Sequence, residues 1–290
     1  TTEKSERRIS VSGVLKILGV SLSGYKAWKK RKPSKTELRR NQIKEEIVDI
    51  YNASYQNYGA PKITAELRKN GETISERTVG KYMNEIGIKA QWIKPYTRTT
   101  VNPDFSSSLK NILNEQFNPE HPNALWCSDI TYIWTDEGFV YLTSIMDLYS
   151  RKIIAWTLSR TLEAVHVADT VRKAMRQRNV TAPLVIHSDR GSQYVSDAYK
   201  QVTRSMILSY SNKGYPYDNA CIESFHSLIK REWLNRFKIK NYEHANKLVF
   251  EYIDAFYNTI RIHSHCDYSS PCDFEDLYFN SLCEKIRHAC

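Results

Sequence analysis

No stretch of this 290-residue chain approaches the roughly 18 consecutive apolar residues of a membrane-spanning helix, and its first residues, TTEKSERRISVSG, lack the apolar core of a secretory signal. A soluble, intracellular protein without membrane partners is expected. The six cysteines (127, 221, 266, 272, 283 and 290) include no CxxC pair and no Cys/His spacing that would build a zinc site, so reduced thiols are expected. An acidic surplus is also missing from the first third. Residues 1–100 carry 21 Lys+Arg against 10 Asp+Glu, whereas residues 101–290 carry 21 against 22, so the net charge of +10 originates entirely in the N-terminal third. Such a surface attracts polyanions, because neutralising phosphates releases condensed counterions. A solvated basic face explains the same numbers. The chain does not begin with Met, which fits a trimmed chain, a fragment or the downstream part of a longer product.

Helical patterning fills the basic third. Residues 10–31, SVSGVLKILGVSLSGYKAWKKR, read as a short apolar helix (Val11, Val14, Leu15, Leu18), a Gly19-Val20-Ser21 turn and a second helix ending in basic residues, the layout of a helix-turn-helix. KPSK at 32–35 breaks the pattern. A second helical unit follows over 38–90: Ile43, Ile47, Ile50 and Tyr51 keep helical spacing, Pro61 opens a helix ending near Gly71, and Ser75 caps SERTVGKYMNEIG. In a trihelical reader the last helix enters the major groove, here presenting Glu76, Arg77, Thr78 and Lys81. Residues 96–120 are polar, contain prolines and read as a linker.

The texture then changes to strands. ALWCSDITYIW, FVYLTSIMDLYS and RKIIAWTLS are β-branched and aromatic runs expected to form an antiparallel meander. HVADTVRKAMRQRN is a helix with an apolar stripe, and APLVIHSDRG is a short apolar strand that suits a buried parallel position. The succession β-β-β-α-β-α matches a ribonuclease-H-like sheet. Residues 241–263 read as one further helix, and the tail from 264 as irregular. The expected organisation is 1–34 as a helix-turn-helix-like segment, 35–95 as a DNA-binding helical domain, 96–120 as linker, 121–280 as an α/β core and 281–290 as a C-terminal tail.

Three acids stand out. Asp129 interrupts the apolar strand LWCSDITYIW, where a charge is costly unless it is paired or binds metal. Asp189 ends another apolar strand, a common place for ligands. Glu223 lies in NACIESFHSLIKREW, where Ile222, Phe225 and Ile229 form the packing face and His226 and Lys230 share the side of Glu223. Phosphodiester transfer needs an oxygen nucleophile in line with a phosphorus, and two Mg²⁺ ions about 3.5–4 Å apart can activate the attacking oxygen and stabilise the leaving one. Mg²⁺ prefers carboxylate oxygens, so a few converging acids suffice. Bland roles compete: a salt-bridged strand Asp, an Asp-Arg-Gly turn and a solvated helix Glu. Asp147 is a competitor that we assign a structural role holding Arg151.

The strings WCSDITYI (126–133), MDLYSRKIIAW (146–156), HSDRGSQYVS (187–196), GYPYDNACIESFHSLIKRE (214–232) and YNTIRIHSHCDYSSP (257–271) resemble the successive motifs of transposases encoded by the second reading frame of the IS-three group of bacterial insertion sequences. The resemblance covers nearly the whole chain. It implies a retroviral-integrase-like core behind helix-turn-helix DNA-binding units, and a triad of Asp129, Asp189 and Glu223 holding two Mg²⁺ or Mn²⁺ ions. It further implies 3′-hydroxyl attack in trans within a homo-oligomer on paired terminal inverted repeats, and a possible fusion behind an upstream reading-frame product. The cell compartment implied is the bacterial cytoplasm, at the nucleoid. DNA contacts are expected from Tyr25 and Lys26, from Arg77, Thr78 and Lys81, and from His226, Lys230 and Arg261. Three departures stand out. The 33 residues between Asp189 and Glu223 are slightly fewer than the family's usual spacing, which trims the loop before the last helix. Cys127 stands where Thr is usual and Cys266 where Leu is usual, and a thiol beside a metal carboxylate would invite soft metals or oxidation. Two other readings remain open: a DNA-binding regulator or assembly platform with a silent core, and a hydrolytic nuclease, which would have no need of sequence-reading helices.

Overall fold

The computed structural model describes residues 10–91, 110–113, 117–212 and 216–289. Most of the expected linker and part of the trimmed loop lie outside them. The chain divides into two compact units, Thr1–Asp49 and Ile50–Cys290.

In the first unit, α1 (Val11–Ile17) and α2 (Leu22–Lys30) are joined through Gly19, whose φ of +66° suits a residue without a side chain. Ser21 caps α2 by accepting the Gly24 N–H at 3.1 Å. Only Leu15 of the expected apolar face is buried; Val11, Val14 and Leu18 are exposed. With seven residues, α1 is too short to bury a full stripe. The next helix, α3 (Lys35–Ala53), begins in this unit and ends in the second.

The second unit opens with α4 (Ala60–Lys69), carrying Pro61 in its first turn, and α5 (Glu76–Glu85), capped by Ser75 through the Thr78 N–H at 3.2 Å. Ile63, Leu67, Val79 and Met83 are buried between them. This helical pair is docked on the rest of the unit, a feature without a sequence signal. The Tyr58 hydroxyl accepts the Ile262 N–H at 2.8 Å, Arg236 donates to the carbonyl of Tyr55 at 2.7 Å and to the Asn57 side chain, and the Tyr55 ring meets Trp233 and Phe256 edge to face.

Lys62 lies in this docked face, its ammonium 4.9 Å from the centre of the Tyr58 ring. Burial, and then the Arg261 cation, push its pKa from 10.5 down to about 7, with Glu232 opposing and Arg231 adding to the fall. Between these values the unfolded chain binds more protons than the folded one, so stability should rise with pH from about 7 to about 10.5. Lys62→Met should flatten that rise and stabilise the protein at pH 6. An unchanged slope in denaturant titrations across this range would show that Lys62 is not desolvated.

Beyond the helices stands a five-stranded sheet of order β3-β2-β1-β4-β5. The antiparallel meander consists of β1 (Leu125–Thr135), β2 (Gly138–Asp147) and β3 (Ile153–Ser159). Short β4 (Val185–Ser188) and β5 (Ile207–Tyr210) continue it in parallel. One face packs against α6 (Ala164–Gln177) and α7 (Asp197–Val202), around Trp126, Val167, Val171, Ile186 and Tyr199. The other packs against α8 (Ala220–Glu232) and α9 (Tyr242–Tyr252), around Leu142, Phe225, Ile229, Val249 and Phe256. Where they are buried on both faces, as over residues 125–129 and 142–147, the strands read as near-continuous runs with few exposed side chains.

The helix expected over 241–263 is shorter. It passes at Ile253–Tyr257 into a π-helical turn, and Asn258 then turns its amide onto edge strand β3, accepting the Ile153 N–H and donating to the Ile153 carbonyl, both at 3.0 Å. The tail is not irregular throughout: α10 (Pro271–Ala289) occupies most of it. Asp147 holds Arg178, not Arg151, at 2.8 Å, and Glu275 of α10 receives both Arg178 and Lys152, so a buried ionic cluster ties α10 to the sheet. Arg151 is spent on the carbonyls of Phe117 and Leu148 and on the Asn118 side chain.

Candidate active site

Asp129 lies at the middle of β1, facing Ser144 of β2, and is buried. The parallel register pairs Cys127 with His187 and Ser128 with Ser188, so Asp129 and Asp189 are the next residues along two neighbouring strands. Short, buried β4 ends there because the Asp-Arg-Gly turn begins: Asp189 Oδ1 accepts the Gly191 N–H at 2.9 Å. A Cβ on Gly191 would lie 3.0 Å from that same oxygen, so a glycine keeps the carboxylate in its place. Beneath both acids is the buried Tyr194, whose hydroxyl is 3.1 Å from Ser128 Oγ. Burial first, and then the Asp129 and Asp189 charges, push this phenol far above its ordinary pKa, so it remains a neutral donor.

The third acid arrives on α8. Ile222, Phe225 and Ile229 are buried as the helical stripe expects. Glu223 occupies its first turn and is exposed. One turn on, His226 is buried over β1 and β2, with Nδ1 3.3 Å from Asp129 Oδ2 and Nε2 3.2 Å from Ser144 Oγ. His226 therefore bridges the helix that carries Glu223 to the strand that carries Asp129, and faces a carboxylate, not solvent. Lys230, a further turn along, places its ammonium 4.4 Å from the centre of the Tyr132 ring. Among the described residues no set of three or more His, Cys, Asp or Glu side chains is gathered into a metal-holding group.

The remaining expected contacts divide by exposure. On α5, Arg77 and Lys81 are exposed, while Thr78 is half-buried with its hydroxyl 2.8 Å from Ser75 Oγ, inside the cap. In the first unit Lys26 is exposed and the half-buried Tyr25 stacks on Trp28. Arg261 lies elsewhere: it is buried, and its guanidinium makes two 2.7 Å hydrogen bonds to the Glu232 carboxylate. Its fork is consumed inside the protein, which removes the surface charge a phosphate would need. Cys127 is sealed in the apolar core, where burial pushes its pKa far up, so the thiolate that soft metals or oxidants would attack is suppressed. The Cys266 thiol donates to the Ser150 carbonyl at 3.1 Å, and burial raises its pKa to about 12. Tyr194, Ser144 and Glu232 went unnoticed in the sequence, because neither periodicity nor spacing separates them from ordinary core and helix residues.

An antiparallel meander extended by two parallel strands, flanked by helices and preceded by helical units, is a ribonuclease-H-like integrase core with an HTH-like region before it. Models of the integrase core domain match residues 119–213 and 204–271, and a model of an HTH-like domain matches residues 38–96. The transposase for insertion sequence element IS904 of Lactococcus lactis is 36% identical over 247 residues, covering 84% of this chain and 98% of its own. Transposase InsF for insertion sequence IS3A of Escherichia coli is 33% identical over 278 residues, covering 94% and 96%. The chain belongs to the IS3 family of insertion-sequence transposases. Solved structures of similar fold include the HTLV-2 integrase catalytic core domain in complex with magnesium (16% identity, 54% of this chain and 98% of that one, TM-score 0.41). Another is the catalytic domain of Mos1 mariner transposase (14% identity, 46% and 71%, TM-score 0.39). No helix among the described residues is long and apolar enough to cross a membrane.

Proposed function

We propose that this transposase cleaves and joins DNA strands at the terminal inverted repeats of its element, with Asp129, Asp189 and Glu223 as the acids that hold two Mg²⁺ or Mn²⁺ ions. The observation that carries this reading is the register of β1 and β4, which makes Asp129 and Asp189 successors of the paired Ser128 and Ser188, with α8 linked to Asp129 through His226. The donor set fits the ions: three carboxylates offer hard oxygens, and the nearby thiol is buried and neutral. When bound, the ions would activate a water or 3′-hydroxyl oxygen and stabilise the oxygen that leaves. The chain's own part is positional. Asp129 is fixed by His226, Asp189 by the Gly191 N–H, and Lys230 lies two turns from Glu223, where a phosphate can meet it.

Residues 35–95 would read the ends through α5, residues 121–280 would carry the chemistry, and attack in trans would require a homo-oligomer, with the upstream reading-frame product as a further partner. The setting would be the bacterial cytoplasm. Incubating labelled end DNA with the chain and Mg²⁺ should yield 3′-cleaved and strand-transferred products; binding with no cleavage would favour the silent regulator. Arg77→Ala or Lys81→Ala should weaken end binding severalfold and leave the Mg²⁺ dependence of cleavage alone. Unaltered binding in both would exclude α5 as the reader.

His226 is a positioning residue in this account. Loss of a group that orients a metal-holding carboxylate typically costs about 10–100-fold in metal affinity. His226→Ala should therefore raise the Mg²⁺ concentration giving half-maximal strand transfer about tenfold, and His226→Asn, which keeps a donor, should recover part of it. An unshifted Mg²⁺ dependence in the alanine variant would assign His226 to packing alone.

A further inference from the structure

We propose that Tyr132, Trp134 and Phe139, on the outer half of the β1–β2 hairpin, form a stacking platform for unpaired bases at a DNA end, with Lys230 holding the adjoining phosphate. The inference rests on the DNA strand-transfer reading and deepens it. Tyr132, Trp134 and Phe139 are 38, 62 and 48% exposed, side by side on a face where a strand next to solvent ordinarily carries polar residues. They alternate with the buried Ile133 and Thr135, so the strand faces the core with one side and solvent with three aromatic rings. The rings brace one another: Phe139 meets Tyr132 at 5.2 Å and Trp134 at 4.8 Å between centres, both near edge to face. A contiguous exposed aromatic patch of this kind marks a binding surface.

Three observations select nucleic acid as the occupant. First, the only part of β1 that β4 pairs is Leu125–Ser128, and the aromatic half lies beyond it, on the strand that also carries Asp129. Tyr132, three residues beyond Asp129, projects from the opposite side of β1, and Lys230, two turns beyond Glu223 on α8, meets its ring where no strand pairs that side of β1. Second, the Lys230 ammonium is 4.4 Å from the centre of the Tyr132 ring, so cation and π face are presented together, the combination that tracks a single strand. Third, cations lie beside the acids of the hairpin turn: Lys238 pairs with Asp136, and Arg160, which also pairs with Glu243, pairs with Glu137, which lessens the repulsion a phosphate backbone would meet. Bases unpaired so that a 3′ end can reach the carboxylates lose their stacking partners, and these rings replace them without regard to sequence.

The test measures binding by the full chain, without divalent metal, to a blunt duplex and to the same duplex bearing a short unpaired 3′ tail that contains 2-aminopurine. The chain should prefer the tailed duplex about tenfold and quench the tail's fluorescence, as expected when one or two bases stack. Trp134→Ala with Phe139→Ala should abolish both effects, and Trp134→Phe should keep most of each. Both substituted positions are exposed, and a melting curve on each variant checks that it is folded. An equal preference for the tail in the parent and the alanine variant overturns the proposal. So does a change in self-association with DNA preference unaltered, which would assign the patch to a second copy of the chain. Because no metal is present, a chain that prefers the tail yet transfers no strand when Mg²⁺ is added separately contradicts the proposed function and leaves the platform standing.

Discussion

Asp129→Asn, Asp189→Asn and Glu223→Gln should each lower strand transfer by at least about a thousandfold while end binding changes less than about twofold. Metal ions at a phosphoryl centre supply several kcal/mol of transition-state charge stabilisation, and each 1.36 kcal/mol is a factor of ten in rate. The substitutions keep the shape and one acceptor oxygen but remove the charge that a divalent ion requires. Binding should survive, because the basic excess lies in residues 1–100, not at the acids. A variant within about tenfold of the parent rate would remove its residue from the triad. Melting curves should accompany the Asp129 variant, since its partner His226 is buried.

The second large effect is on stability. Arg261→Ala should destabilise the protein by about 3–5 kcal/mol, because it strands the buried Glu232 carboxylate that now receives two 2.7 Å hydrogen bonds from Arg261 and one from the Tyr252 hydroxyl. Glu232→Leu with Arg261→Met should cost much less, since replacing both members of a buried pair removes the desolvation cost together with the attraction. Urea denaturation reads both, and near-parent stability of the single variant would contradict the buried-pair account. Burial opposes the charge on Glu232, yet the Arg261 hydrogen bonds and charge outweigh it and hold its carboxyl below the usual value of 4.5. A depressed carboxyl stabilises the fold above pH 4.5 and loses that contribution as pH falls further, so the parent should lose stability below this pH and the double variant should lose less. The folded single variant should bind DNA as the parent does, a direct check on whether Arg261 touches DNA at all.

The elements that sequence reading reached are those whose periodicity is long and uninterrupted. The eleven residues of β1, the ten of β2 and the stripe of α6 are legible in the sequence, and β4 is legible because the apolar run Leu184-Val185-Ile186 stops just before a polar turn. At four residues β5 offers no alternation to detect, and α7 spans six. Helix α10 does carry a start signal: Ser270 caps the Asp273 N–H at 3.1 Å, Pro271 opens the helix and Asp273 lies in its first turn. Polar punctuation in DYSSPCDFEDLYFN obscured it.

At the site, an acid inside an apolar strand and another at a strand end were readable because desolvated charge demands a partner. Which partner each found was not. His226 shares a helix side with Glu223, as spacing expects, yet its ring reaches across to Asp129 and Ser144, a contact set by how α8 crosses the sheet. Asp147 found Arg178 from α6's end, and Arg261 found Glu232, both through tertiary packing that no local pattern encodes. Charge counting located the basic third and could not distinguish the exposed Arg77 and Lys81 from an arginine buried in a pair.

Anomalous diffraction from crystals of the chain grown with a DNA end and Mn²⁺ tests the central claim most directly. Two Mn²⁺ peaks should appear within coordinating distance of the carboxylates of Asp129, Asp189 and Glu223 together, beside the terminal phosphate. Well-ordered DNA with manganese bound elsewhere, or with any one of the three carboxylates out of reach of both ions, would contradict it.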